Sequence, residues 1–419
     1  MITTKNNEHK KLNFSSEREQ SQACLNSAEH EKNQGRKVLN VPNLRFPEFQ
    51  GEWEKCKVSD LLDFYSTNSL SWDKLEYGTD AIQNLHYGLI HVGLPTMIDL
   101  SKDKLPNITN GNTPKNYELC QEGDIAFADA SEDTNEVAKA VEFYKLNGKD
   151  VICGLHTIHG RDNQQKTVVG YKGYAFSSMA FHHQIRRIAQ GTKIYSINSK
   201  NFSECYIGIP SKEEQKKIAT LLRLLDERIA TQNKIIEKMQ TLIKGIAHKV
   251  SKQGKPNIRL SECLLCTSST LQESDVAEVG AYPVYGANGI VGYLDTYNTT
   301  SEAIYIIKDG SGVGAVSCVK GKCSATGTLN ILQTKEGFSL RYLYFILKVF
   351  SFEPYKTGMA IPHLYFKDYG KAKIYCPSNQ LQCKYADLLS KIEQKATAEQ
   401  KILDNLCSQK QYLLCQMFI

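Results

Sequence analysis

The sequence predicts an α+β chain built twice over. Two related mixed modules are each followed by a long helix, and the two helices pack as an antiparallel coiled coil with pseudo-two-fold symmetry. Three observations predict this. A frame recurs at a fixed interval of 167 residues, so that Gly191–Pro210 is echoed by Gly358–Pro377. Each echo leads into a run with apolar residues at alternating spacings of four and three. Between the runs lie short β-like stretches broken by Gly, Asn and Asp.

The repeat comes first because internal duplication fixes architecture before any residue has a role. Ile194 pairs with Ile361, Ile197 with Leu364, Phe202 with Tyr369, Ile207 with Ile374 and Pro210 with Pro377. Gln215 then pairs with Gln382 and Ala219 with Ala386. At the front, Val58-Ser-Asp-Leu-Leu matches Leu260-Ser-Glu-Cys-Leu at an offset of 202, so the first module is longer by 35 residues, the difference between the two offsets. A kept frame with a diverged interior suits modules that bind different targets; simple drift would look the same.

The elements follow in chain order. Residues 1–40 are polar and aperiodic, and read as a disordered extension. Order is expected to begin at Val41–Trp53, whose apolar residues can dock on a core, and the first module spans 41–210. Asp124–Ala128, Ala303–Ile307 and Val313–Val319 read as strands, and Leu340–Lys348 as a helix of the second module, 256–377. The helices occupy 211–255 and 378–419. Ser211-Lys-Glu-Glu214 predicts a capping box at the first, and Gly254 with Pro256 stops it. Its seam reads Ile218, Leu222, Leu225, Ile229, Gln232, Ile236, Met239, Ile243, Ile246 and Val250. The equivalent positions are Tyr385, Leu389, Ile392, Ala396, Glu399, Leu403, Leu406, Lys410, Leu413 and Met417. The polar Gln232 and Glu399 interrupt the seams at equivalent places, a device that fixes register at some cost in stability. Lys410 and Ala396 predict a second helix whose far end frays or needs a partner. Such a seam is roughly 50 Å long, against about 34–36 Å for a turn of B-DNA.

Bulk composition excludes several classes. The 419 residues are 41% hydrophobic and 23% charged, as in soluble globular chains. No run approaches the ~20 apolar residues of a membrane span, and the start lacks a secretory signal. Thirteen cysteines in such a chain predict reduced thiols and a cytoplasmic location. The net charge of +6 is concentrated: residues 211–255 hold 11 Lys/Arg against 5 Asp/Glu. Clustered positive charge suits a polyanion partner, and equally suits a solvated helix face.

Catalytic chemistry is not legible. Gly88-Leu-Ile-His-Val-Gly93 lacks the Lys-Ser/Thr of a phosphate loop. Gly310-Ser-Gly-Val-Gly-Ala is followed by a strand-like run, not a helix, and reads as a tight turn. No Asn/Asp-Pro-Pro-aromatic methyltransferase motif occurs. Cys263-Leu-Leu-Cys266 and the pair Cys318 and Cys323 read as core thiols rather than zinc ligands. His156, His159, His182 and His183 lack cysteines or carboxylates at ligand spacing, so no metal site is assigned.

Two polar sets could face a nucleic acid. In the first module they are Asn84, His86, Tyr87, His156, His159, Arg161, Lys172, His182 and His183. In the second, a turn-rich stretch presents Tyr282, Tyr285 and Asn288, followed by Lys308, Ser311, Lys320, Lys322 and Thr328. Asn and Lys can read base edges, while Ser, Thr and Lys hold phosphates. Any one of these residues fits an ordinary surface loop as well.

Taken together, Val41-Pro-Asn-Leu-Arg-Phe-Pro-Glu-Phe-Gln-Gly-Glu-Trp53, Ile207-Gly-Ile-Pro-Ser-Lys-Glu-Glu-Gln-Lys-Lys-Ile-Ala219, Ile374-Tyr-Cys-Pro-Ser and Tyr282-Pro-Val-Tyr-Gly-Ala-Asn-Gly-Ile-Val-Gly-Tyr293 resemble the specificity (S) subunit of type I restriction-modification enzymes. The resemblance covers about residues 41–419. It implies two target recognition domains, each reading one half of a bipartite DNA site. It implies helices that set the spacing and dock two methyltransferase (M) subunits, with restriction (R) subunits joining that core. S-adenosylmethionine, ATP and Mg²⁺ would be used by those partners and not by this chain. The polar leader lies outside the family frame. A non-catalytic scaffold, with paired helices recruiting proteins, is the alternative, and an unrecognised nuclease site is a third reading.

Overall fold

The computed structural model describes residues 39–419 apart from Ser311, Met359 and Ala360. The expected loose extension therefore lies outside the described residues, save for its last two. The chain divides into two compact units, one reaching to Ala230 and including Asn405–Ile419, the other Thr231–Asp404. The division falls within both long helices rather than at their ends. The reason is burial: the first unit's core takes in Ile218 and Leu222 from one helix and Met417 and Phe418 from the end of the other.

The first unit is closed by an antiparallel ribbon, Glu54–Lys57 against Tyr206–Ile209. Inside it, a five-stranded sheet runs in the order Asp63–Tyr65, Thr157–Arg161, Ile125–Ala128, Ala140–Lys145, Met97–Asp99. A four-stranded sheet runs Val151–Cys153, Gln83–Leu85, Asn107–Ile108, Leu75–Glu76. The larger core gathers Trp53, Phe127, Tyr171, Phe176, Phe181 and Phe202. Trp53 is 2% exposed, so the opening segment docks as expected.

The second unit repeats the plan. Ile258–Arg259 pairs antiparallel with Lys373–Ile374. A four-stranded sheet runs Leu264–Ser268, Leu329–Thr334, Ala303–Ile307, Val316–Val319. A three-stranded sheet holds Gly289–Leu294, Tyr282–Gly286 and Ser324–Ala325. The helix Leu340–Val349 buries six consecutive residues, Tyr342–Leu347. The Gly310 turn joins the antiparallel strands Ala303–Ile307 and Val316–Val319, with Gly310 and Gly314 at φ +87° and +93°, where a side chain would be strained.

The repeat proves to be a set of hydrogen bonds. Val58 N donates to Cys205 O at 2.8 Å, and Leu260 N to Ala372 O at 3.0 Å. Gln215 Nε2 donates to Pro210 O at 2.9 Å while its Oε1 accepts from Val168 N at 2.9 Å. Gln382 does the same with Pro377 O at 2.9 Å and Ser339 N at 3.0 Å. Both glutamines are buried. Each pins a helix start to its own module.

The long helices span Lys212–Ser251 and Asn379–Gln416. Every apolar seam residue assigned to Ile, Leu or Met is buried or half-buried. Within the second unit, Gln232 Nε2 donates to Glu399 O at 3.0 Å and to the Glu399 carboxylate. Further along, Tyr385 OH donates to Gln253 Oε1 at 2.7 Å. One helix advances as the other retreats, so the pairing there is antiparallel. Within the first unit, Lys410 Nζ lies 2.6 Å from Asp226 Oδ1. One expectation holds in its second form and one needs correction. The far end of the second helix finds a partner in the first unit's core rather than fraying: Phe418 is 7% exposed and meets Trp53 edge-on at 6.4 Å. The capping box is only half used: Ser211 Oγ accepts from Glu214 N at 3.3 Å, but the Glu214 carboxylate takes two bonds from Arg45, each 2.7 Å. Among the described residues, no helix is long and apolar enough to cross a membrane.

Candidate nucleic-acid interface

On the first unit, strand Gln83–Leu85 and helix Tyr87–Val92 bring a chain of rings to one surface. Trp72 lies over His86 at 4.5 Å, His86 over Tyr87 at 4.8 Å, and Tyr87 meets His156 at 5.2 Å. His86 Nδ1 accepts from Gly88 N at 3.1 Å, which caps the short helix and fixes the ring. Burial, and then the neighbouring His156, lowers the His86 pKa. His156 stands at φ +54° with its ring 3.1 Å from Asp129 Oδ1. Trp72 is 45% exposed, so aromatic faces are open to stack on a partner.

A second patch lies on helix Met179–Ile188. Spacing of four places His182 beside Arg186 and His183 beside Arg187. Burial, then Arg186, pushes His182 down to about 4, and the same causes lower His183. Both shifts favour the uncharged imidazole, and the arginines supply the positive charge of the patch. Arg186 Nη1 donates to Asn135 Oδ1 at 3.3 Å, while Nη2 is buried without a partner. The half-buried Arg186 and the exposed Arg187 give the helix face an excess of positive charge that suits a phosphate.

The other first-module residues are core groups, which corrects the expectation that they face a partner. Asn84 is fully enclosed and accepts from Asn68 Nδ2 at 2.7 Å. Arg161 spends its guanidinium on Asp124, Glu118 and Leu119 O. His159 sits 2.7 Å from Asp124 Oδ2, which raises its pKa against the opposing effect of burial. Lys172 is 3% exposed, 3.0 Å from Thr167 Oγ1 and 3.4 Å from Glu142 Oε1. His86 is buried too, though its ring belongs to the surface stack. Polar residues default to the surface in a sequence reading; here paired charges make burial affordable.

On the second unit, the hairpin Tyr282–Gly286/Gly289–Leu294 turns at the exposed Asn288, with Gly289 at φ +102°. Tyr282 meets Tyr297 edge-on at 4.9 Å, and Lys322 Nζ lies over both rings, at 5.9 Å and 4.9 Å. Tyr285 is half-buried against Tyr305. Lys308 and Thr328 are joined by a backbone bond, Lys308 N to Thr328 O at 2.9 Å. Nearby, His363 Nδ1 is 2.7 Å from Asp309 Oδ1. Lys320 is exposed at the end of strand Val316–Val319. Ser311 lies outside the described residues. The set therefore resolves into two groups, one around Lys322 and one around Lys308.

Sequence reasoning missed Trp72, Arg186, Arg187, Tyr297 and His363. Only the arginines carried a readable signal, their spacing from the histidine pair. Cys263, Cys266, Cys318 and Cys323 are free thiols, the first and last fully buried, as core residues should be. One group suited to a metal does assemble among the described residues: Cys120, Cys153 and His159.

The sequence profile of the type I restriction modification DNA specificity domain matches residues 104–241 and 263–407, once in each repeat. A putative type I specificity subunit of Mycoplasma genitalium is 28% identical over 302 residues, covering 66% of this chain and 78% of its own. The putative MjaX specificity subunit of Methanocaldococcus jannaschii is 26% identical over 223 residues, covering 52% and 50%. Among solved structures, the S subunit of a type I restriction-modification system from M. genitalium superposes with a TM-score of 0.60 at 20% identity, over 90% of this chain and 99% of that one.

Proposed function

The chain belongs to the type I restriction-modification specificity family, whose members are non-catalytic DNA-recognition subunits, and on that premise we propose that it reads a bipartite DNA target, one module per half-site. Its long helices form an antiparallel coiled coil about a pseudo-two-fold axis. That rod sets the spacing of the modules and docks two M subunits, with R subunits joining the assembly. S-adenosylmethionine, ATP and Mg²⁺ serve those partners.

The observation that carries the reading is the Gln232–Glu399 contact. These residues stand 167 apart and are equivalents in the repeat. In an antiparallel pair related by a two-fold, a residue meets its own equivalent only on the axis. A polar pair at that point fixes the register of the whole rod. Exposed Leu224 and Leu242 on the first helix, and Leu388 and Ile402 on the second, support docking of further subunits.

In each module, open rings beside cations supply the chemistry of DNA contact. Trp72, Tyr87 and His156 serve the first module with Arg186 and Arg187 as phosphate ligands. Tyr282, Tyr297, Asn288 and Lys322 serve the second, with Lys308, Lys320 and Thr328 on its flank. Sequencing of methylated bases in host cells with and without this gene tests the reading. Loss of one motif made of two short blocks and a fixed gap is expected. An unchanged methylome, or loss of an uninterrupted motif, contradicts it.

A further inference from the structure

We propose that Cys120, Cys153 and His159 form a binding site for a thiophilic divalent cation, with Zn²⁺ the best fit. One ligand atom from each lies within 4.8 Å of the other two. The sulfurs are 3.6 Å apart. Two thiolates about 2.3 Å from a tetrahedral zinc stand about 3.8 Å apart, so the pair is already spaced for a shared ion. His159 is 0% exposed, and with Nε2 engaged by Asp124 its Nδ1 is buried without any partner. An orphaned buried ring nitrogen is costly, and a cation would satisfy it.

The surroundings match those of a metal-bound histidine. Such a ring gives its other nitrogen to a carboxylate, which is itself held. Asp124 fills that place: it takes two bonds from Arg161, each 2.8 Å, and one from Gln121 N at 2.9 Å. The donor set is two sulfurs and one nitrogen, which selects Zn²⁺ over the oxygen-seeking Mg²⁺ and Ca²⁺. Cys153 ends a strand of the four-stranded sheet and His159 lies on the five-stranded one. The ion would tie the two sheets together and clamp both ends of the segment bearing His156. The site is independent of the DNA-binding reading, since it rests on the core of one module.

The test uses the purified, reduced full-length chain, stripped by a chelator and titrated with Zn²⁺ or Co²⁺. One equivalent is expected to remain after gel filtration, with a thiolate-to-cobalt absorption band for Co²⁺. Cys120→Ser and Cys153→Ser should lose it, Cys263→Ser should keep it, and Asp124→Asn should weaken it about 10–100-fold. Because the serine variants could misfold, wild-type chain is also footprinted by alkylation. In urea below the unfolding midpoint, where the buried Cys120 and Cys153 open transiently, bound Zn²⁺ should slow their alkylation and leave that of the exposed Cys383 unchanged. Failure of the reduced wild type to retain Zn²⁺, retention undiminished in Cys120→Ser, or a Cys120–Cys153 disulfide in chain isolated with thiols blocked at lysis would each overturn the proposal.

Discussion

Lys322 lies over two tyrosine rings and keeps its ammonium exposed, so it can hold a phosphate while the rings face a base. Lys322→Ala should weaken duplex binding across all sequences and lower the slope of log affinity against log salt by about 1. His156→Ala removes a ring from a stack instead, and should cost about 1–3 kcal/mol with the salt slope unchanged. Filter binding at several salt concentrations separates the two. A protein-only scaffold would show no steep salt dependence at all.

His182 gives a pH signature. Its folded pKa is lowered from 6.5 to about 4 by burial first and Arg186 second. Between those values the unfolded chain takes up a proton that the folded chain refuses, so stability must fall as pH drops through the window, and this contribution is flat above it. His182→Gln should flatten the fall of the urea midpoint between pH 6.5 and 4 by about one proton. An unchanged slope would mean that the ring is as open to protonation in the folded chain as in the unfolded one.

At the scale of elements, the helices were legible and the sheets mostly not. A seam repeating every seven residues specifies both a helix and the face it buries, so Ile218, Leu222, Ile243, Leu389 and Leu403 are buried where the period put them. Strands such as Ile125–Ala128 were legible as elements, but their partners were not. Cys120, Cys153 and His159 are distant in sequence and meet only because strands pair. Asp124 and Arg161 show the same limit: each looks like a surface charge until the partner that buries it is known. The rod makes a prediction of its own. Inserting seven residues into each helix between the Gln232–Glu399 contact and the modules preserves the seam and lengthens the rod. The methylated motif should keep both half-sites and gain spacer; altered half-site sequences would give the helices a reading role that this account denies them.

For the whole molecule, duplication explains more than any single residue. The clasps of Gln215 and Gln382, and the ribbons at each module's base, are the same structure made twice. Module interiors differ in length by 35 residues, and their surfaces share little chemistry: imidazole, indole and arginine on one, tyrosine and lysine on the other. A repeated frame carrying unlike surfaces fits the proposed independent readers of two half-sites. The family frame was legible from the repeated ends, whereas the target proposed for each module depends on loop geometry that no periodicity encodes. The most direct test exchanges residues 58–210 for the corresponding module of another specificity subunit and maps methylation in the same host. One half-site should change while the other half-site and the spacer stay fixed; a change in both half-sites, or in neither, would contradict the account.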